Sequence, residues 1–348
     1  MAYTTINKST AHFNIITYTG NSSQGRSITG VGFAPDLVWA KCNSNGGNSH
    51  ILSDKVRGTN KNLQSNTNSA EIANNAQGYI SAFGSDGFTA YGGGSGYNEI
   101  NGSGNKYVIY NWKGNGSGSS NTAGSINSVV SANTTSGFSI VKWQGTDANA
   151  TVGHGLSKAP SMVLYKTLGV GENWIIYNKD LGSNKFTNLN SNGGSTTSTA
   201  MFQNTHPSNT LLYVGGNSAN KNTPMIAYCF SNITGFSHHG TYKGSANASK
   251  GFVYTGFKPQ FMMSANTQSD SNWMMWDNKR PGNTFNARTK WIHANGNDQE
   301  YTQANSVNFL SNGFSFGVTG HPNEAEQYTY MCFGQSLVGS NNVPATAE

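Results

Sequence analysis

Two Asp-x-x-Arg pairs are the most chemically suggestive feature of the chain: Asp54 with Arg57, and Asp277 with Arg280. Such a pair can clamp a polar ligand, or it can tie a strand end to the next loop as a structural ion pair. The matching stretch in the middle of the chain has Asn178 and Leu181 instead, so the structural role is expected. His238 and His239 are adjacent on an expected strand, where neighbouring side chains point to opposite faces and cannot share one metal. The other histidines are isolated. Cys42, Cys229 and Cys332 are odd in number and far apart, which indicates neither a zinc site nor a disulfide framework. The Gly-rich stretch 91–97 lacks the Lys-Ser/Thr and helix of a phosphate loop. Glycoside hydrolysis needs two carboxylates flanking one bond, and no spacing among the 15 acids singles out such a pair. No catalytic residue, metal or cofactor is therefore expected. Aromatic faces can stack on sugar rings. Tyr97, Trp276 and Trp291 lie in or beside loop-like sequence and are the candidate glycan-binding residues. Trp39, Trp112, Trp143, Trp174 and Trp273 sit within apolar runs and read as core.

The elements that must position these residues recur three times. An aromatic strand ending in glycine opens each repeat: Phe13-Asn-Ile-Ile-Thr-Tyr-Thr-Gly20, Phe138-Ser-Ile-Val-Lys-Trp-Gln-Gly145 and Phe236-Ser-His-His-Gly-Thr-Tyr-Lys-Gly244. A Gly–hydrophobic–Pro–strand element follows, from Gly32, Gly155 and Gly256. A third strand begins at His50, Trp174 and Trp273. Asp86-Gly-Phe88 and Asn312-Gly-Phe314 start a further strand in two repeats. Each repeat closes on an aromatic strand: Tyr107 to Trp112, Met225 to Phe230 and Tyr328 to Phe333. The spacing gives a unit of about 100 residues, far larger than a solenoid repeat.

Composition agrees. Of 348 residues, 43 are Gly and 47 are Asn, which weakens any helical reading. Aromatic residues at 11% are too many for a chain that stays disordered. The fold expected is all-β: three tandem antiparallel β-sandwich repeats, jelly-roll or lectin-like. The expected division is an N-terminal arm at 1–12, repeats at 13–134, 135–234 and 235–337, and a tail at 338–348. Segment 114–124 reads as a flexible linker, segment 69–76 as a turn or two of helix, and the arm as a strand donor for a neighbour. The net charge of +6 comes from scattered lysines and arginines, so nucleic acid is not an expected partner. No apolar run is long enough for a membrane span, and the first residues carry no secretory h-region.

The N-terminal Met1 to Lys8, Tyr18-Thr-Gly-Asn21, Gly32-Phe-Ala-Pro-Asp-Leu-Val-Trp-Ala-Lys41, Asp54-Lys-Val-Arg-Gly58 and Ser85-Asp-Gly-Phe88 carry a resemblance. The chain resembles a family of repeat-bearing virion surface or tail proteins of marine and cyanobacterial tailed bacteriophages. The likeness implies synthesis in a bacterial cytoplasm, a place on the virion surface and other virion proteins as partners. It supplies no catalytic residues. Taken with the loop aromatics and the Asn-rich polar surface, it leads to the expectation of a tail- or fibre-associated protein that contacts a host surface glycan, and a homo-oligomer is expected. A purely structural head-decoration or tail-attached knob is the alternative, and a polysaccharide depolymerase a more distant one.

Overall fold

The computed structural model describes residues 3–92, 99–248, 251–280 and 286–338. Within them the chain is all-β, with 3₁₀ turns at Ser9–Ala11 and Lys179–Leu181 as the only helical elements. Segment 69–76 is not helical; Ile72–Ala73 pairs with Lys61–Asn62 as a short ladder.

Three antiparallel four-strand sets share one design. In the first, β1 (Phe13–Thr19), β2 (Leu37–Cys42), β3 (Ile51–Asp54) and β4 (Lys106–Trp112) lie in the order β1-β4-β2-β3. In the second, β5 (Phe138–Gln144), β6 (Met162–Thr167), β7 (Ile175–Asn178) and β8 (Pro224–Phe230) lie in the order β5-β8-β6-β7. In the third, β9 (Ser237–Lys243), β10 (Lys258–Asn266), β11 (Met274–Asp277) and β12 (Gln327–Gln335) lie in the order β9-β12-β10-β11.

These sheets bury both faces. On β2, Leu37 and Trp39 enter a cluster shared by all three units, while Val38, Ala40 and Cys42 enter a cluster private to the first. On β6, Met162 and Leu164 face the shared cluster, and Val163 and Tyr165 face the second unit's own. A strand buried on both sides reads as a continuous apolar run, which is why these segments do not alternate cleanly. Each private cluster is closed by a second layer. In the first unit this layer is Arg26–Thr29, Gly87–Gly92 and Gly78–Phe83. In the third, the sheet itself continues through Ala287–His293, Tyr301–Leu310, Gly313–Phe316 and Phe252–Tyr254.

Trp112, Phe230 and Phe333 lie at corresponding places at or near the ends of the closing strands of the three units. Their ring centroids form an edge-to-face triangle with sides of 6.2, 5.8 and 5.8 Å. This is the geometry that aromatic quadrupoles favour. Backbone bonds repeat around the triangle. Glu71 N donates to Leu168 O at 2.9 Å, Ser195 N to Thr267 O at 2.8 Å and Glu300 N to Asn43 O at 2.9 Å. Ring N–H groups do likewise: Trp174 to Gln64 O, Trp273 to Asn188 O and His50 to His293 O. Trp39 donates to His50 Nδ1, so His50 carries its proton on Nε2 and takes the place of an indole. Asn66, Asn190 and Asn295 accept the backbone N–H of His50, Trp174 and Trp273, one use of the abundant asparagine.

Two expected readings change, the flexible linker at 114–124 and the arm as a strand donor for a neighbour. Segment 114–124 contains a strand, Ser119–Asn121, paired through Ser128–Asn133 to β5. The N-terminal arm folds back onto its own chain: Ile6 is in the shared core, and Ser9 N donates to Gln335 Oε1. Of the C-terminal tail, residues 339–348 lie outside the described residues. At the Asx-Gly-Phe starts, Gly87 and Gly313 are needed for space, because a Cβ there would collide with Ile28 O or Val253 O of the paired strand.

Three buried histidines and the half-buried His321 set an acid limit on stability. Burial lowers the pKa of His154 and His321 to about 4, and holds His50 and His239 well below the usual range. The unfolded chain therefore binds these protons first. Their contribution is complete above the unfolded pKa near 6.5 and is lost as pH falls toward 4. For the fully buried His154 this amounts to about 3 kcal/mol. Glu99, raised by burial to about 7, opposes them over pH 7 to 4.5, but it is one group against four. The Tm should fall between pH 7 and pH 4.5; an unchanged or higher Tm at pH 4.5 would contradict this balance.

Candidate functional site

The two Asp/Arg pairs are ion pairs between a strand end and the following loop, and both are buried. Arg57 N and Nε donate to the two Asp54 oxygens at 2.8 and 2.5 Å, and Nη1 reaches Glu71 at 3.1 Å. Tyr228 of the second unit donates to Asp54 Oδ2 at 2.8 Å. The other pair repeats this arrangement. Arg280 N and Nε donate to Asp277 at 2.8 and 2.7 Å, Nη1 lies 3.5 Å from Glu300, and Tyr110 of the first unit donates to Asp277 at 3.0 Å. Burial pushes both phenols well above their ordinary range, which keeps them protonated as donors.

At the remaining seam, between the second and third units, the four corresponding positions are Asn178, Leu181, Ser195 and Met331. All four polar members are replaced together. Asn178 bonds Gly240 O and Thr329 Oγ1 instead. A four-residue cluster that is either complete or absent behaves as one structural device. Enclosed between units, it is closed to ligands.

Of the candidate glycan-binding aromatics, Trp276 and Trp291 both fall in the third unit's private core. Tyr97 lies outside the described residues. Trp276 is on β11 and wholly buried in the third unit's private core, so it offers no face to a sugar. Its position at a strand end before a turn-rich stretch made it look loop-bound. Trp291 is on the strand Ala287–His293 and is 9% exposed. It stacks beneath Tyr301 with centroids 5.7 Å apart, and Tyr301, at 38%, is the face open to solvent.

A polar concavity lies elsewhere, in the first unit. It has a volume of about 480 Å³ and is walled by loop 45–49, Gln64, Ile72, Asn75, Gln77 and Glu99. Glu99 is 4% exposed. Gln64 Nε2 donates to its Oε1 at 3.0 Å, and Asn75 Nδ2 to its Oε2 at 2.8 Å. Burial raises its pKa to about 7, against the pull of those donors and of Lys41. Loop 45–49 is shaped by Asn48, whose Nδ2 donates to Asn45 O and Gly46 O. Lys41 Nζ reaches the loop at Asn48 O, 2.6 Å away, and Asn297 O of the third unit at 3.2 Å. Asn43 Nδ2 donates to Glu300 Oε2 across the same seam, next to Tyr301. The pocket is thus held by the contact between two units.

Its chemistry is hydrogen bonding: one carboxylate, several carboxamides and a single apolar wall residue, Ile72. A volume of this size falls within the range of small-molecule sites. Among the described residues, no group of three His, Cys, Asp or Glu side chains is placed to hold a metal. The three cysteines are free and buried, and no helix is long and apolar enough to cross a membrane. Sequence reasoning missed Glu99, although a signal was present. It is the only acid between Asp86 and Asp147, and it follows directly on a Gly-rich stretch.

No curated protein and no solved structure matches the chain. One family does, over residues 8–336, a span that takes in all three units and treats them as one domain, in keeping with their shared core. The chain belongs to the family described as Domain of unknown function (DUF7483).

Proposed function

We propose that the protein is a non-enzymatic component of a bacteriophage virion surface, tail- or fibre-associated, that holds a host-cell glycan in the pocket at Glu99. The observation that carries the binding reading is Glu99 itself: a buried carboxylate, fixed by two carboxamides, facing an open polar cavity. Sugar hydroxyls are donors and acceptors that such a surface can satisfy. The virion reading rests on the resemblance of the repeat motifs. A non-enzymatic role is favoured because one carboxylate lines the pocket where a glycosidase uses two.

Glycan arrays and binding to intact host cells by the purified protein test this directly. Binding to at least one surface glycan is expected, without its cleavage. Clean absence of both kinds of binding sinks the adhesion reading, and turnover of capsule or lipopolysaccharide replaces it with a depolymerase. Electron cryo-microscopy of the virion is expected to place the protein on the tail or a fibre; density over the capsid lattice would favour head decoration.

A further inference from the structure

We infer that the Glu99 pocket is selective for a neutral sugar ring that donates a hydroxyl to the carboxylate, and that it rejects rings carrying a carboxylate, sulfate or phosphate. This inference rests on the glycan reading above and names the ligand class for the same site.

Charge is the first argument. Glu99 is the only charged residue lining the pocket. Lys41, the ammonium that acts on it, is 0% exposed, and its Nζ is engaged by Asn48 O and Asn297 O, so it is not presented to a ligand. Above its pKa of about 7, Glu99 is ionised, and an anionic ring entering the pocket would lose its hydration and meet a carboxylate with no exposed cation to offset it.

Hydrogen-bond capacity is the second argument. A carboxylate offers about four lone-pair sites. Each Glu99 oxygen has one of these taken by a carboxamide, Gln64 on Oε1 and Asn75 on Oε2. The Ser49 backbone N–H also bonds the carboxylate, so one acceptor direction is left, which suits a single hydroxyl donated by the ring. Gln64 and Asn75 aim the carboxylate, and both are fixed in turn: Gln64 Oε1 accepts from Thr67 Oγ1, and Asn75 Oδ1 accepts from Gln77 N. The ring's apolar edge is left to Ile72.

The test is a binding titration of the full chain at about pH 8, where Glu99 is ionised, with neutral hexose oligosaccharides and with their uronate, sialylated and sulfated counterparts. Neutral ligands are expected to bind at least about tenfold more tightly. Glu99→Gln, nearly identical in shape, should weaken the neutral ligand about tenfold, because charge-assisted bonds become neutral ones. Asn45→Lys, on the exposed loop wall, leaves the interior untouched and should admit anionic rings. Equal affinity of the wild-type protein for anionic and neutral glycans overturns the inference while leaving the glycan reading standing. So does neutral binding unchanged in both variants. Failure to bind any glycan of either panel removes the reading and the inference together.

Discussion

Asp54→Asn should cost about 3–5 kcal/mol, because it leaves Arg57 enclosed with only Glu71 to balance it. The native protein already contains the remedy. At the seam between the second and third units, Asn, Leu, Ser and Met occupy the positions held elsewhere by Asp, Arg, Glu and Tyr. Importing that set as Asp54→Asn, Arg57→Leu, Glu71→Ser and Tyr228→Met should recover most of the loss. Buried ionic clusters often tolerate wholesale apolar replacement while breaking badly when one member is removed. Urea unfolding of the single and fourfold variants decides the matter. A neutral single substitution, or a fourfold variant no better than the single one, would mean that the cluster does not act as a unit.

Phe230→Ala should be comparably damaging, at about 3–5 kcal/mol, since it deletes one corner of the Trp112–Phe230–Phe333 triangle. The more telling expectation is what melts. Phe230 belongs to the second unit, but its ring lies in the core common to all three. Calorimetry of the variant should show one transition at lower temperature, with calorimetric and van't Hoff enthalpies in agreement. A separate early transition of about a third of the enthalpy, with the rest unmoved, would mean that the units are independent domains joined in tandem.

Much of this fold was legible. The recurring aromatic strands, the Gly–hydrophobic–Pro entries and the Asx-Gly-Phe starts each mark a strand that forms. The shared core was not legible, although its trace was present. Leu37-Val-Trp-Ala40 is apolar on both faces, and sequence alone cannot say that one face meets two other units rather than a second sheet of its own. The Asp/Arg pairs were visible as local i,i+3 partners; their tyrosines, more than 160 positions away, were not. Aligning the closing strands would have shown them, because Tyr110 and Tyr228 give way to Met331 where Asp and Arg give way to Asn178 and Leu181. Trp276 misled because its neighbours Asp277 and Asn278 look like turn residues, while the strand before them is buried on both faces. Glu99 escaped notice because its pocket is assembled by amides from segments 22 to 54 positions away, which form no local motif.

Three units with one design would carry three equivalent sites if binding belonged to the repeat. The pocket at Glu99 lies in the first unit, where it depends on that carboxylate and on a loop wall backed by Lys41; Lys166 holds the corresponding place in the second unit and Ala265 in the third. Isothermal titration with the glycan found on the array measures this directly. The predicted result is one ligand per chain, lost or strongly weakened by Glu99→Gln. Three ligands per chain, or a single site indifferent to Glu99, would contradict the assignment of binding to this pocket.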